Sequence, residues 1–175
     1  QINKGEIIFN NTNIESFNPQ KRRDLSIAFV PENRLGHSAV PELTLSENIL
    51  LSQFPNNNFS KHGILKNTLI NEHANQVIKN FKVVTPGFDA KASSLSGGNL
   101  QKFVIGREIS SQPKLLIISH PTWGIDAGAE HAIRESLIRL SKNGTSIIVL
   151  SQDLDELIEI THRIAVIFEG KLSKP

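Results

Sequence analysis

"SSLSGGNLQKFVIGREI", residues Ser93–Ile109, is the stretch on which the reading of this chain turns. A serine and two glycines stand directly before a run with helical spacing of apolar residues. Glycine lets backbone N–H groups approach an anion with no Cβ in the way. A helix beginning there aims its positive end at the same point. Ser96 adds a hydroxyl. Serine and glycine also suit a plain helix cap, so the tripeptide by itself does not separate a phosphate site from an ordinary N-terminus.

Downstream of this stretch, elements alternate. A helix is predicted over 99–110, then a continuous apolar strand, "KLLIIS", over 114–119. A helix over 126–141 carries Ile133, Leu137 and Leu140 on one face, and Asn143-Gly144 stops it. "SIIVLS", 146–151, is a second apolar strand, 153–160 a short acidic helix, and "RIAVIF", 163–168, a third strand. This rhythm predicts an α/β fold, a mostly parallel sheet with flanking helices and right-handed crossovers.

Upstream, short strands are predicted over 6–9 and 26–30, the second ended by Pro31, with a polar, turn-rich segment between them. A loop spans 35–41. Thr44 or Ser46 caps a short helix running to Gln53. Residues 54–63 read as loop. Leu65, Leu69, His73, Val77 and Phe81 recur every four residues, with Ile70, Ala74 and Ile78 alongside, which predicts a helix with one buried face. His73 on that stripe reads as a packed or half-exposed side chain.

The bulk numbers narrow the function. In 175 residues there is no cysteine, which excludes disulfides, thiol catalysis and zinc-finger sites. Net charge is +2, so a nucleic-acid role would need a concentrated basic patch; the densest run, Lys21-Arg22-Arg23, reads as a solvated loop. No apolar run approaches bilayer-spanning length. The chain opens on Gln1 and contains no methionine, and it is read as a fragment of a longer protein.

"LSGGNLQK" resembles the signature sequence of ABC-type ATPases, in the variant common among sugar and nucleoside importers. "IAFVPENRLGHSAVPELTLSENILL" resembles the segment where those importers carry V-P-E-D-R, with Glu32 at the usual Q-loop glutamine. "PTWGID" resembles the family's P-T-R-G-L/V-D stretch, with Asp126 at the D-loop aspartate. "VLSQDLDELIEITHRIAVIFEGKL" resembles the switch strand, helix and closing strand. Four motifs in this order are specific where one would be weak. The resemblance implies a P-loop NTPase fold whose phosphate-loop half is missing. It places a remnant of the N-terminal β part at 1–35, a helical subdomain with the membrane-partner contact segment at 36–93, and the signature helix with the C-terminal RecA-like core at 94–175.

Three positions depart from the family. Its phosphate loop, G-x-x-x-x-G-K-[ST], is absent from these residues. The strand "KLLIIS" should end Asp-Glu and ends Ser119-His120. Serine offers no carboxylate to magnesium's shell, and a histidine base has no metal-clamped phosphate to work on. Where the switch histidine belongs stands Gln152, which carries no proton.

The resemblance therefore implies a chain whose own half-site does not hydrolyse ATP and holds no metal. Ser96, Gly97, Gly98, Asn99 and Gln101 would meet an ATP, with its magnesium, held by a second nucleotide-binding domain. Further partners implied are membrane-spanning permease subunits, contacted through residues 32–51, and indirectly a solute-binding protein. No nucleic acid is implied. The place implied is the cytoplasmic face of the inner or plasma membrane. Trp123, at the family's arginine, is expected to be buried or to pack in an interface. A non-catalytic ABC-shaped domain, or a soluble ABC-type ATPase acting on nucleic acid, are the alternative readings.

Overall fold

The computed structural model describes residues 5–53 and 59–174. Its centre is a three-stranded parallel sheet of β3 (Ile27–Val30), β6 (Leu115–Ser119) and β7 (Ser146–Leu150), with β6 in the middle. Phe29 lies opposite Ile117, and Ile117 opposite Ile148, which fixes the register across all three strands. Three small antiparallel hairpins are separate from this sheet: β1 (Ile8–Phe9) with β2 (Thr12–Asn13), β4 (Ser60–Lys61) with β5 (Ile64–Leu65), and β8 (Ile167–Phe168) with β9 (Lys171–Leu172). The β4–β5 hairpin lies in and just beyond the segment expected as loop, where His62 and Gly63 both take positive φ, as a two-residue hairpin turn of the primed type requires. Residues 54–58 of that expected loop lie outside the described residues.

Six α-helices and a 3-10 turn at Ala92–Ser94 complete the described residues, the α-helices being α1 (Pro19–Asp24), α2 (Leu45–Gln53), α3 (Asn67–Asn80), α4 (Gly97–Ser110), α5 (Ala127–Lys142) and α6 (Leu154–Ile160). Helix α1 occupies the segment expected to be turn-rich. Asn18 caps it by accepting from the Lys21 N–H at 2.9 Å, and Pro19 suits its first turn. The basic run is not a solvated loop. Arg22 donates to the carbonyls of Ile14, Glu15 and Phe17, and Arg23 reaches Ser52 O and the Glu108 carboxylate. Thr44 is the cap of α2, through a reciprocal box in which the Glu47 N–H donates to Thr44 Oγ1 and the Thr44 N–H donates to Glu47 Oε2.

The core lies between α4 and one face of the sheet. Val30, Leu45, Ile49, Leu100, Phe103, Val104, Ile105, Leu116 and Ile118 are all buried. On α3 the buried stripe is Ile70, Ala74 and Val77, while Leu69 is exposed and Leu65 has left the helix for β5. His73 is half-buried, its Nε2 3.1 Å from Ser110 Oγ and its ring edge-on to Phe59; burial lowers its pKa. Helix α4 approaches Phe81 so closely that a Cβ on Gly106 would lie 2.5 Å from the ring. Gly106→Ala is expected to destabilise the chain by about 2 kcal/mol in urea melts, because the ring must move out of a packed site; an unchanged midpoint would contradict this packing.

Among the described residues the other face of the sheet is only partly covered. Phe29 and Ile148, which flank Ile117 in one row, are half exposed, as is Leu150. Purely parallel sheets are normally covered on both faces. The largest departure from the sequence expectation lies after α6. Residues 163–168 do not form a third parallel strand; β7 pairs only with β6, and Ile167–Phe168 turns back on Lys171–Leu172. An apolar run with no strand beside it satisfies its backbone locally.

Candidate functional site

Ser96 is the N-cap of α4, with extended backbone (φ −61°, ψ 154°). Its Oγ accepts from Asn99 Nδ2 at 2.9 Å and, at 3.5 Å, from the Asn99 N–H. Asn99 is itself held, its Oδ1 accepting from the Val84 N–H at 2.9 Å. The Ser96 hydroxyl accepts in both contacts, so its O–H remains available as a donor. The N–H groups of Gly97 and Gly98 have no acceptor within the helix. Ser96 and Gly97 are exposed, Gly98 and Asn99 half-buried. The tip thus presents two amides and a hydroxyl to solvent, a donor set suited to a phosphate oxygen.

Gln101 has a different place from the one expected. It is 2% exposed, and its amide donates to Pro121 O at 3.1 Å while its Oε1 accepts from Arg34 Nε at 3.0 Å. No surface of it is left for a phosphate; it braces the tip from inside. Arg34, at the arginine of the V-P-E-N-R stretch, also donates through Nη2 to Trp123 O.

The loop after β6 carries the remaining residues. Ser119 pairs with Leu150 in register, and the His120 N–H donates to Leu150 O at 2.8 Å. Trp123 is not buried: its ring is 66% exposed and tilted against His120, centroids 6.1 Å apart. Gly124 takes φ +65°, which favours glycine there. Asp126 caps α5 by accepting from the Ala129 N–H at 2.9 Å. That bond, with a smaller contribution from the Lys102 charge, holds its carboxyl below the usual carboxylate value.

Sequence reasoning missed Glu156. Its carboxylate is buried and accepts from Thr122 Oγ1 at 2.6 Å and Ser151 Oγ at 2.7 Å. It ties the loop after β6 to the loop after β7, where Gln152 stands exposed. The signal was present only as an acid among several in "DLDEL", with nothing to mark which one turns inward.

Glu32 is exposed beside Pro31. Behind it a cavity of about 270 Å³ opens between Pro31, His37, Val40, Asn48 and Leu51, with Arg107 at its base. Arg107 is buried and donates to Ser38 O and Asn48 O, fixing the walls from below.

The sequence model described as "ABC transporter" matches residues 1–123. The chain belongs to the ABC transporter family. Among curated proteins it is 40% identical over 172 residues to the nucleoside import ATP-binding protein NupA of Lactococcus lactis subsp. cremoris, covering 98% of this chain and 34% of that protein. It is 36% identical over 169 residues to the galactose/methyl galactoside import ATP-binding protein MglA of Escherichia coli, covering 97% and 33%. The chain therefore spans about a third of the length of these relatives. An ATP-binding cassette solved as a dimer in a post-hydrolysis state, bound to ADP and Pi, superposes with a TM-score of 0.79 at 21% identity, covering 98% of this chain and 74% of that one. That likeness shows the ABC ATPase fold.

ABC ATPases bind ATP with magnesium. The residues at the end of β6 fit that ion poorly. Ser119 offers a neutral hydroxyl, which magnesium's shell takes less readily than a carboxylate. The Glu156 carboxylate is already held by two hydroxyls. No helix among the described residues is long and apolar enough to cross a membrane.

Proposed function

We propose that this chain is part of the ATP-binding subunit of an ABC importer for a nucleoside or simple sugar. It supplies the Ser96–Gly98 tip in trans to an ATP and magnesium held by a partner nucleotide-binding domain. The observation that carries the reading is an asymmetry. The donor set at the tip is intact and held from behind by Asn99, whereas Ser119, His120 and Gln152 offer no carboxylate and no switch histidine. The names of the relatives, covering both nucleoside and sugar import, supply the cargo class.

In this reading ATP closes the two domains because the tip donors gain a charged acceptor only in the closed state. Hydrolysis at the partner's site removes it and lets the domains part. The groove beside residues 32–51, with Val40 and Leu51 exposed on its rim, takes a short helix of a membrane-spanning permease subunit. A solute-binding protein acts on the far side of the permease, and no nucleic acid takes part. The chain works at the cytoplasmic face of the membrane. The units at 1–35, 36–93 and 94–175 correspond to β remnant, helical subdomain and signature-bearing core.

The isolated chain is expected to bind magnesium-ATP no tighter than about 1 mM in calorimetric titration, since a helix tip without a phosphate loop offers too few contacts. Micromolar affinity, or turnover by the chain alone, would overturn the trans reading.

A further inference from the structure

Arg34 sits where three functional segments meet. It belongs to the stretch with Glu32, its Nε donates to Gln101 on α4, and its Nη2 donates to the Trp123 carbonyl in the loop before Asp126. Nε and Nη2 form one edge of the planar guanidinium, so a single rigid group holds both acceptors at once. Its Nη1 lies 2.8 Å from where a Cβ on Gly97 would stand, so a side chain there would push the guanidinium end aside. Among the described residues no carboxylate forms a salt bridge with Arg34, and its partial burial lowers its pKa. A cation beside the positive end of a helix, with no acid partner, is placed there for its donor geometry rather than for ion pairing.

We infer that Arg34 is a positioning residue. It locks the tip of α4, the loop from Pro121 to Asp126 and the segment bearing Glu32 into one rigid unit, so that the two surfaces offered to a partner domain keep a fixed separation. The consequence for nucleotide rests on the trans reading above; the clamp itself does not. A displacement of the Glu32 segment reaches the tip and the Asp126 loop together through this one side chain.

Lysine separates geometry from charge. It keeps the positive charge and much of the stem packing but cannot bond two acceptors with a planar edge. Trp123 is the only tryptophan, so its fluorescence anisotropy reports the clamped loop in the full 175-residue chain without any partner. Wild type, R34K and R34Q are compared by time-resolved anisotropy, with circular dichroism melts as the check on folding. Both variants are expected to stay folded, and the share of Trp123 anisotropy lost to fast local motion is expected to roughly double in both.

Wild-type anisotropy in R34K with loss only in R34Q would overturn the proposal, because charge alone would then suffice. Unchanged anisotropy in both, or loss of the folded state in R34K, would overturn it as well. If R34Q alone fails to fold, R34K decides. Because no nucleotide enters this measurement, the clamp can fail while the trans reading stands, and the reverse.

Discussion

Gly97→Asp is expected to lower ATP turnover by about 100- to 1000-fold when this chain is assembled with a domain carrying a phosphate loop, the size of effect seen when one oriented donor to a reacting oxyanion is lost. Two causes act together. The new Cβ meets Arg34 Nη1 at 2.8 Å, so the guanidinium end must give way and its two hydrogen bonds are disturbed. The new carboxylate also sets a negative charge where the phosphate oxygens approach the Gly97 and Gly98 amides. Ser119→Ala and Gln152→Ala in the same assembly are expected to change turnover by less than about threefold, since neither side chain supplies the metal or proton chemistry of a working half-site. Steady-state phosphate release measures all three. Full activity in Gly97→Asp, or a hundredfold loss in Ser119→Ala, would reverse the assignment of which half-site this chain serves.

Glu108→Ala is expected to remove about 3–5 kcal/mol of folding stability, most of what a small domain has. Glu108 is 1% exposed and faces two arginines: Arg107 Nη2 at 2.8 Å and Arg23 Nη1 at 3.2 Å. Arg107 is itself buried, with its other donors on Ser38 O and Asn48 O. Removing the acid leaves a buried guanidinium without its counter-charge, and the desolvation of that cation is then uncompensated. Exchanging both partners, Arg107→Met with Glu108→Leu, is expected to cost less than the single change, because no charge is stranded. Urea unfolding of the isolated chain tests the pair. A loss below about 1 kcal/mol in Glu108→Ala would mean the network behaves like a surface pair.

Much of the fold was readable before the structure. Helix α4, expected from 99, begins at Gly97 with Ser96 as its cap, a start set by local signals, and Asp126 and Asp153 cap α5 and α6 in the same way. The strands β6 and β7 were visible as unbroken apolar runs. Helix α1 was missed although Asn18-Pro19 is a start signal, because the polar residues around it offered no buried face to confirm a helix. Residues 163–168 carry as strong a strand pattern as β7, and the pattern misled, since a strand exists only where a neighbour accepts its hydrogen bonds. Around the candidate site, the motif put Ser96 to Asn99 at a helix N-terminus, and the structure has them there. Gln101, in the same motif, faces inward, and nothing in the spacing separated it from its neighbours.

The amino-acid order alone was enough for the α/β class, the succession of most elements, the glycine-lined helix tip and the absence of Asp-Glu after "KLLIIS". These depend on backbone preferences and side chains within a few residues of one another. Tertiary structure decided the rest. It brought Arg34 to Gln101 across 67 positions and Arg23 to Glu108 across 85, turned Glu156 inward and Trp123 outward, and, among the described residues, left one face of the sheet partly uncovered. Such outcomes follow from which surfaces meet when the chain packs, and from the need of each buried charge and donor to find a partner.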